Sequence, residues 1–101
     1  MTGKEIKKII KDGIQEENPD MILFTLRENP QWKPSYKDNW LMRVSAGMGW
    51  TTLVAWLLAD SRVDPTALGN DAIRWANFNG HTEVVELLKK HGCKIPKEND
   101  Y

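Results

Sequence analysis

The sequence predicts an all-α fold, an α-solenoid in which short helix-turn-helix repeats stack side by side. Two observations indicate it: segments recur at a spacing of 31 residues, and each segment carries two short helical stripes of apolar residues. Helix pairs this short bury their apolar faces only by stacking on neighbours, and about three repeats are needed for stability. The 101 residues fit one domain. We expect units over residues 4–34, 35–65 and 66–96, followed by a polar C-terminal tail over 97–101.

The spacing is clearest between the second and third units. Identical residues lie 31 positions apart in seven pairs: Asn39 and Asn70, Arg43 and Arg74, Gly49 and Gly80, Thr51 and Thr82, Val54 and Val85, Leu57 and Leu88, Pro65 and Pro96. The first unit is a degenerate copy, in which Leu26 matches Leu57 and Pro34 matches Pro65.

Each unit is predicted to contain two helices followed by a loop. In the third unit Asn70 is a good N-cap for a helix over Asp71–Phe78, which Asn79-Gly80 ends. A second helix starts near Thr82 and stops before Gly92.

The other two units follow the same plan. The predicted helices are Lys4–Gln15, Pro19 to about Glu28 with Asn18 as N-cap, Trp40–Gly47 with Asn39 as N-cap, and Thr51–Ala59. Residues 29–38 and 60–69 hold prolines and polar residues without an apolar stripe, so we expect projecting turns there.

Composition disfavours several classes of partner and location. Fourteen Lys and Arg balance fourteen Asp and Glu, so no net positive charge favours nucleic acid. The single Cys93 excludes an intrachain disulfide and a thiolate metal cage. No apolar run approaches the roughly 20 residues of a membrane span, and the N-terminus lacks a secretory signal. We therefore expect no membrane partner and a cytoplasmic location.

No catalytic or metal site is evident. His81 and His91 are ten residues apart, whereas two ligands on one helix face need a spacing of three or four. No Ser/His/Asp grouping or Gly-rich phosphate loop is visible. We predict a non-enzyme without cofactor or metal and an ordinary Cys93 thiol. Residues distant in sequence could still converge, so a small hydrolase or metal-binding protein remains an alternative.

Two residue types, arginine and tryptophan, could serve either the packing of the units or the binding of a partner. Arg43 and Arg74 occupy equivalent positions, and we expect each guanidinium to bind a loop carbonyl or a carboxylate such as Asp64 of the adjoining unit; partner contact is the alternative.

The five tryptophans divide by position. Trp56 and Trp75 fall where the repeat places buried residues, so we predict them in the core. Trp40 is predicted as an interface anchor, whereas Trp32 and Trp50 could be exposed anchors or edge packing.

The chain resembles the ankyrin repeat family. Gly80-His-Thr-Glu-Val-Val-Glu-Leu-Leu88 with His91-Gly92 resembles the second half of an ankyrin repeat, and Gly49–Leu58 is a variant of it. Arg62–Pro65 followed by Asn70–Ala76 is similar to divergent viral and bacterial ankyrin repeats. The usual Thr-Pro-Leu-His opening is replaced by Asp71-Ala-Ile-Arg74, and the period is shorter than the usual 33 residues, so a regular β-hairpin in each loop is not expected.

The resemblance implies a protein-binding module that uses its loop tips and the concave face formed by the first helix of each unit. The residues on that surface are Tyr36, Lys37, Asn39, Trp40, Met48, Leu68, Asn70, Asp71, Asn77, Phe78 and Asn79. The implied role is a small inhibitor or adaptor, with a phage or viral protein acting on a host enzyme or defence factor as one form of it. The alternative is a self-associating structural subunit, a homodimer.

Overall fold

The computed structural model describes residues 1–96, and this part of the chain is all-helical, without a β-strand. The predicted all-α class is therefore confirmed, while the predicted tail 97–101 lies outside the described residues. The helices are α1 (Gly3–Gln15), α2 (Pro19–Glu28), α3 (Tyr36–Met48), α4 (Thr51–Leu58), α5 (Ala67–Phe78) and α6 (Thr82–Lys90). They form two compact units, the first spanning Met1–Lys33 and the second starting at Pro34.

The first compact unit is the hairpin of α1 and α2. A capping box opens α1: the Thr2 hydroxyl accepts a hydrogen bond from the Glu5 N–H, and the Glu5 carboxylate accepts one from the Thr2 N–H. Asn18 caps α2 as predicted, because its Oδ1 accepts from the Met21 N–H at 3.2 Å. The helices approach closely at Gly13, where a Cβ would lie 2.6 Å from the Ile22 side chain.

The second compact unit contains two hairpins, α3–α4 and α5–α6. Within it α3 packs most extensively against α5, and α4 also packs against α6. The buried side chains come from all four helices and form a common apolar core: Leu41, Met42, Leu53, Val54, Leu57, Ile73, Val84 and Leu88. The apolar stripes therefore predicted most of the buried positions of these helices, with Trp56 and Trp75 as exceptions.

A left-handed turn opens α3 and recurs 31 residues later in α5. Lys37, Asp38 and Asn39 have φ between 51° and 60°, and residues 68–70 have φ between 54° and 64°. Asn39 and Asn70 were predicted to be N-caps, and that prediction is wrong. Instead, Asn39 Oδ1 accepts from the Asp64 N–H at 2.8 Å, and Asn70 Oδ1 accepts from the Lys94 N–H at 3.3 Å. Asn tolerates positive φ better than most residues, so one side chain both shapes the turn and holds a later loop.

The two hairpin turns also meet. Gly49 ends α3 at φ 74°, and the Nδ1 atom of His81 lies 2.5 Å from the position that a Cβ on Gly49 would occupy. Only glycine leaves room for this ring, and glycine also adopts the left-handed conformation without strain. His81 therefore packs one turn against the other.

The predicted core positions of Trp56 and Trp75 are wrong. Trp56 is 43% exposed and Trp75 is 52% exposed. Their equivalents, Leu87 and Val44, are only half-buried, so an indole in these places extends beyond the core into solvent. Trp32, in contrast, is buried, which identifies it as packing rather than an exposed anchor.

Candidate functional site

Helices α3 and α5 carry ten of the eleven residues that the sequence placed on a binding surface, and Asn79 follows α5 directly. Because α3 and α5 pack side by side, the structure brings these residues onto neighbouring helices. Their individual environments decide which of them a partner can reach.

Arg43 joins the two helices. Its Nε donates to the Asp38 carbonyl at 3.1 Å and its Nη2 to the Lys37 carbonyl at 3.0 Å. Its Nη1 lies 3.4 Å from Oδ2 of Asp71 on α5, and both side chains are about one-fifth exposed. The predicted structural role of Arg43 is confirmed, although the carboxylate belongs to Asp71 and not to Asp64. The planar guanidinium suits this three-way contact because it offers several fixed donors.

Two further residues of α5 contact α3 around Gly47. A Cβ on Gly47 would lie 3.3 Å from the Cβ of Trp75, and the Asn79 amide donates to the Gly47 carbonyl at 2.8 Å. Asp71, Trp75 and Asn79 are spaced by four, so they form one strip along the helix. We call Asp71, Trp75 and Asn79 the α5 contact strip; it meets Arg43 and Gly47 of α3.

An aromatic cluster lies at the start of α3. The rings of Tyr36 and Trp40 meet edge to face, with centroids 6.2 Å apart and planes at 82°. The Lys37 ammonium lies 5.6 Å from the Tyr36 ring centroid, within cation–π range. Tyr36 and Trp40 are half-buried, so each offers part of its ring to solvent while the remainder is packed.

The predicted binding residues differ in accessibility. Five are exposed (Lys37, Leu68, Asn77, Phe78 and Asn79), five are half-buried (Tyr36, Trp40, Met48, Asn70 and Asp71), and Asn39 is buried. Four of the polar residues already bind other parts of the chain: Asn39, Asn70, Asp71 and Asn79. The members most available to a partner are therefore aromatic, aliphatic or at the turns.

A groove of about 640 Å³ runs along α5 beside this surface. Its lining residues are Gly69, Asp71, Arg74, Trp75, Asn77, Phe78, Ile95 and Pro96. Three large apolar side chains on this helix are exposed: Leu68 at 55%, Trp75 at 52% and Phe78 at 85%. Arg74 is exposed and, within residues 1–96, has no hydrogen bond or ion pair, so the bond predicted for it is not formed there.

No protein-family profile, curated protein or solved structure matches this chain. The likeness to ankyrin repeats therefore rests on the residues and the 31-residue spacing and stays a prediction.

Sequence reasoning missed Trp75 as a surface residue and kept partner contact by Arg74 only as the alternative to a structural bond. The available signal was the alignment of the two repeats: Phe78 lies 31 positions after Gly47, whose small size lets Trp75 pack against α3. A large residue in that place indicates that the environment of α5 differs from that of α3.

Three further features concern metal binding, the Cys93 thiol and the Asp60 carboxylate. Within residues 1–96 no group of three His, Cys, Asp or Glu side chains could hold a metal ion. Cys93 is buried with its Sγ 3.6 Å from the Pro65 carbonyl, and burial, with a smaller contribution from Asp64, raises the pKa of its thiol. Asp60 accepts a bidentate contact from Arg62, which lowers the pKa of that carboxyl.

Among the described helices, none is both long enough and apolar enough to cross a membrane.

Proposed function

We propose that the chain is an ankyrin-like repeat protein that binds another protein through the α3–α5 face and the turns at its rim. The observation that carries the proposal is the exposure of Leu68, Trp75 and Phe78 on one short helix. Large apolar side chains clustered at a surface are typical of protein interfaces. The aromatic cluster at the start of α3 adds a second anchor of the same kind.

The repeat architecture supports this proposal. The hairpins α3–α4 and α5–α6 pack helix against helix, and both first helices open with the same left-handed turn. A stacked array presents its first helices as a rigid surface, which limits the entropy lost on binding. We propose that such a surface acts by covering a site on its partner, as a small inhibitor or adaptor in the cytoplasm, including that of a host cell.

The test compares partner capture by Phe78→Ala with capture by the wild-type chain, using lysate of the source organism and mass spectrometry. Phe24, on α2, is also an exposed phenylalanine and serves as the matched control through Phe24→Ala. Both changes remove an exposed ring, so neither should alter the melting temperature by more than a few degrees. We expect Phe78→Ala to lose the captured protein and Phe24→Ala to keep it. Equal capture by both variants would contradict the proposed face.

Self-association is the second candidate, because the same exposed apolar residues could pair with those of another copy. Sedimentation across a dilution series separates the two candidates. A monomer at all concentrations supports a foreign partner, whereas a dimer that Phe78→Ala dissociates supports a structural subunit. Since neither candidate involves catalysis, we expect metal analysis and a broad hydrolase substrate screen to be blank.

A further inference from the structure

The contact between α3 and α5 provides a template for what binds the edge of α5. On α3, Arg43 and Gly47 receive the α5 contact strip: Arg43 binds Asp71, and Gly47 leaves room for Trp75. The residues 31 positions later are Arg74 and Phe78, both exposed and both lining the groove. We call Arg74 and Phe78 the α5 edge. These two residues take the positions that Arg43 and Gly47 have on α3, with phenylalanine in place of glycine.

The unchanged half of the α5 edge is the arginine. Arg43 uses its guanidinium for a carboxylate from the next helix and for two carbonyls of its own turn. Arg74 follows the equivalent left-handed turn, yet within the described residues it has neither bond. Arginine is well suited to a carboxylate, which it can bind through two donors. The charge that complements this edge is therefore negative and is supplied by whatever docks.

The changed half of the α5 edge is the residue four positions after the arginine, which is small on α3 and large on α5. At Gly47 a Cβ would lie 3.3 Å from the Cβ of Trp75 and 3.8 Å from its Cγ. Even a methyl group there requires a shift of a few tenths of an ångström, and a ring attached to it would compete with the indole for the same space. Phe78 occupies the equivalent position on α5. A helix that docks in the same register must therefore carry a small residue where α5 carries Trp75. Phe78 then packs over the small residue instead of receiving a large one.

The rest of the chain does not supply this pattern. No Asp or Glu in the sequence has Gly, Ala or Ser four positions later, and Asp71 itself is followed by Trp75. A second copy docked in this register would place a side chain larger than serine against Phe78. No helix of these 101 residues therefore fits this register, so the helix we seek lies outside them.

We propose that the α5 edge binds a helical segment of a partner protein in which an Asp or Glu is followed four residues later by Gly, Ala or Ser. The carboxylate binds Arg74, and the small residue lies beneath Phe78 in the groove along α5. This inference rests on the proposed protein-binding function and names the chemistry of the partner. The spacing of four puts both residues on one helix face.

The probe is a peptide of residues 67–80 of this chain that carries Trp75→Ala. It presents Asp71 and a small residue four positions later. The residues at chain positions 72 and 76, which lie outside the α5 contact strip, are replaced by a pair whose side chains are covalently linked. This link holds the peptide helical, because so short a helix is marginal in water. Binding to the full-length protein is followed by calorimetry with peptide up to about 1 mM. The first control peptide keeps Trp75, and the second adds Asp71→Asn to Trp75→Ala.

We expect the Trp75→Ala peptide to bind and both control peptides to bind about tenfold more weakly or not at all. Arg74→Met in the protein should weaken the Trp75→Ala peptide by about the same factor as Asp71→Asn in the peptide. The two changes together should cost little more than either alone, because they remove the same contact. Circular dichroism and melting temperature establish that each protein variant is folded.

The decisive variant is Phe78→Ala, which removes the ring and leaves the α5 edge only one methyl group larger than Gly47 of α3. It should bind the Trp75-containing peptide about tenfold more tightly than the wild-type protein does, which a merely destabilising change would not produce. Equal affinity of wild type and Arg74→Met for the Trp75→Ala peptide, or no binding up to the highest concentration, would overturn the inference. If the Trp75→Ala peptide bound more tightly to a variant ending at Pro96 than to the full-length protein, residues 97–101 would be the occupant. That result would also overturn the inference.

Failure of this inference is distinguishable from failure of the proposed function. If the peptides do not bind while partner capture still depends on Phe78, the function stands and the partner's chemistry is different. A wild-type dimer dissociated by Phe78→Ala would make a second copy the occupant and would overturn the inference.

Discussion

At the scale of single residues, Ser45 shows how one hydroxyl can lie in the core without a polar partner. The residue is fully buried in α3, and its Oγ has no hydrogen-bond partner among the described residues. The equivalent residue in α5, Ala76, is also fully buried and has no polar atom in its side chain. The position therefore requires small size and does not require a hydroxyl.

We predict that Ser45→Ala raises the free energy of unfolding by about 1 kcal/mol, since it removes an unsatisfied buried group and creates only a small cavity. Urea unfolding at neutral pH measures the change. A loss of more than about 1 kcal/mol would mean that the hydroxyl makes a hydrogen bond in solution.

Cys93 predicts a stability change at alkaline pH. Burial raises the pKa of its thiol in the folded chain, so folding favours the neutral form. The full stability is present below the ordinary thiol pKa and declines as the pH rises above it. Urea unfolding at neutral pH and at about pH 10 should show this decline in the wild type. Cys93→Ala serves as the control and should show a smaller decline, since the other titrating groups are unchanged.

At the scale of elements, the two hairpin turns offer a matched pair of glycines. Gly49 and Gly80 both have positive φ, but only Gly49 faces a close neighbour, the ring of His81. The first glycine therefore has a conformational and a steric reason to be glycine, whereas the second has only the conformational reason.

We predict that Gly80→Ala costs about 1 kcal/mol and Gly49→Ala roughly 2–4 kcal/mol, because only the latter also forces a Cβ against His81. Adding His81→Ala to Gly49→Ala should recover much of the difference. Thermal or urea unfolding of the three variants provides the test, and equal losses for the two glycine variants would exclude the steric contribution.

The left-handed turns explain why the asparagines were misassigned from the sequence. Asn is favoured both as an N-cap and at positive φ, so the residue type alone did not distinguish the two roles. The side chain of Asn39 reaches the Asp64 backbone, 25 residues away, and local pattern does not reveal such a contact. Leu68 is harder still, since a branched residue at φ 54° contradicts its intrinsic preference.

The two roles of Asn39 predict that its substitutions differ in how much they destabilise the fold. Asn39→Gly keeps the positive φ but loses the hydrogen bond to Asp64, whereas Asn39→Ala loses both. We expect Asn39→Ala to be more destabilising than Asn39→Gly by about 1 kcal/mol, measured by urea unfolding. The reverse order would show that the turn relaxes without cost.

At the scale of the whole molecule, the helices and their buried faces could be predicted because apolar stripes, caps and glycine stops agree with one another along the chain. The helix bounds of α1, α2, α4 and α6 differ from the predicted ones by about one residue. The candidate site was predicted less well. Periodicity placed Trp75 at a buried position, but only the three-dimensional structure shows that an indole there covers Gly47 and leaves about half of the residue exposed.

The two equivalent arginines have different roles in the whole molecule. Arg43 links α3 to α5, whereas Arg74 is free of hydrogen bonds within residues 1–96. We predict that Arg43→Met lowers the melting temperature by about 5–10 °C, since it removes charge-assisted bonds and leaves Asp71 without its partner. Arg74→Met should change it by no more than about 2 °C. Differential scanning calorimetry compares them, and equal shifts would contradict the difference in roles.

Three successive residues, Lys37, Asp38 and Asn39, adopt dihedral angles that natural L-amino acids disfavour by about 1–2 kcal/mol each. The mirror-image enantiomers prefer those same angles. A chain assembled by chemical ligation with D-lysine and D-aspartate at positions 37 and 38 should fold to the same backbone with greater resistance to heat, and proteases would cleave that turn poorly.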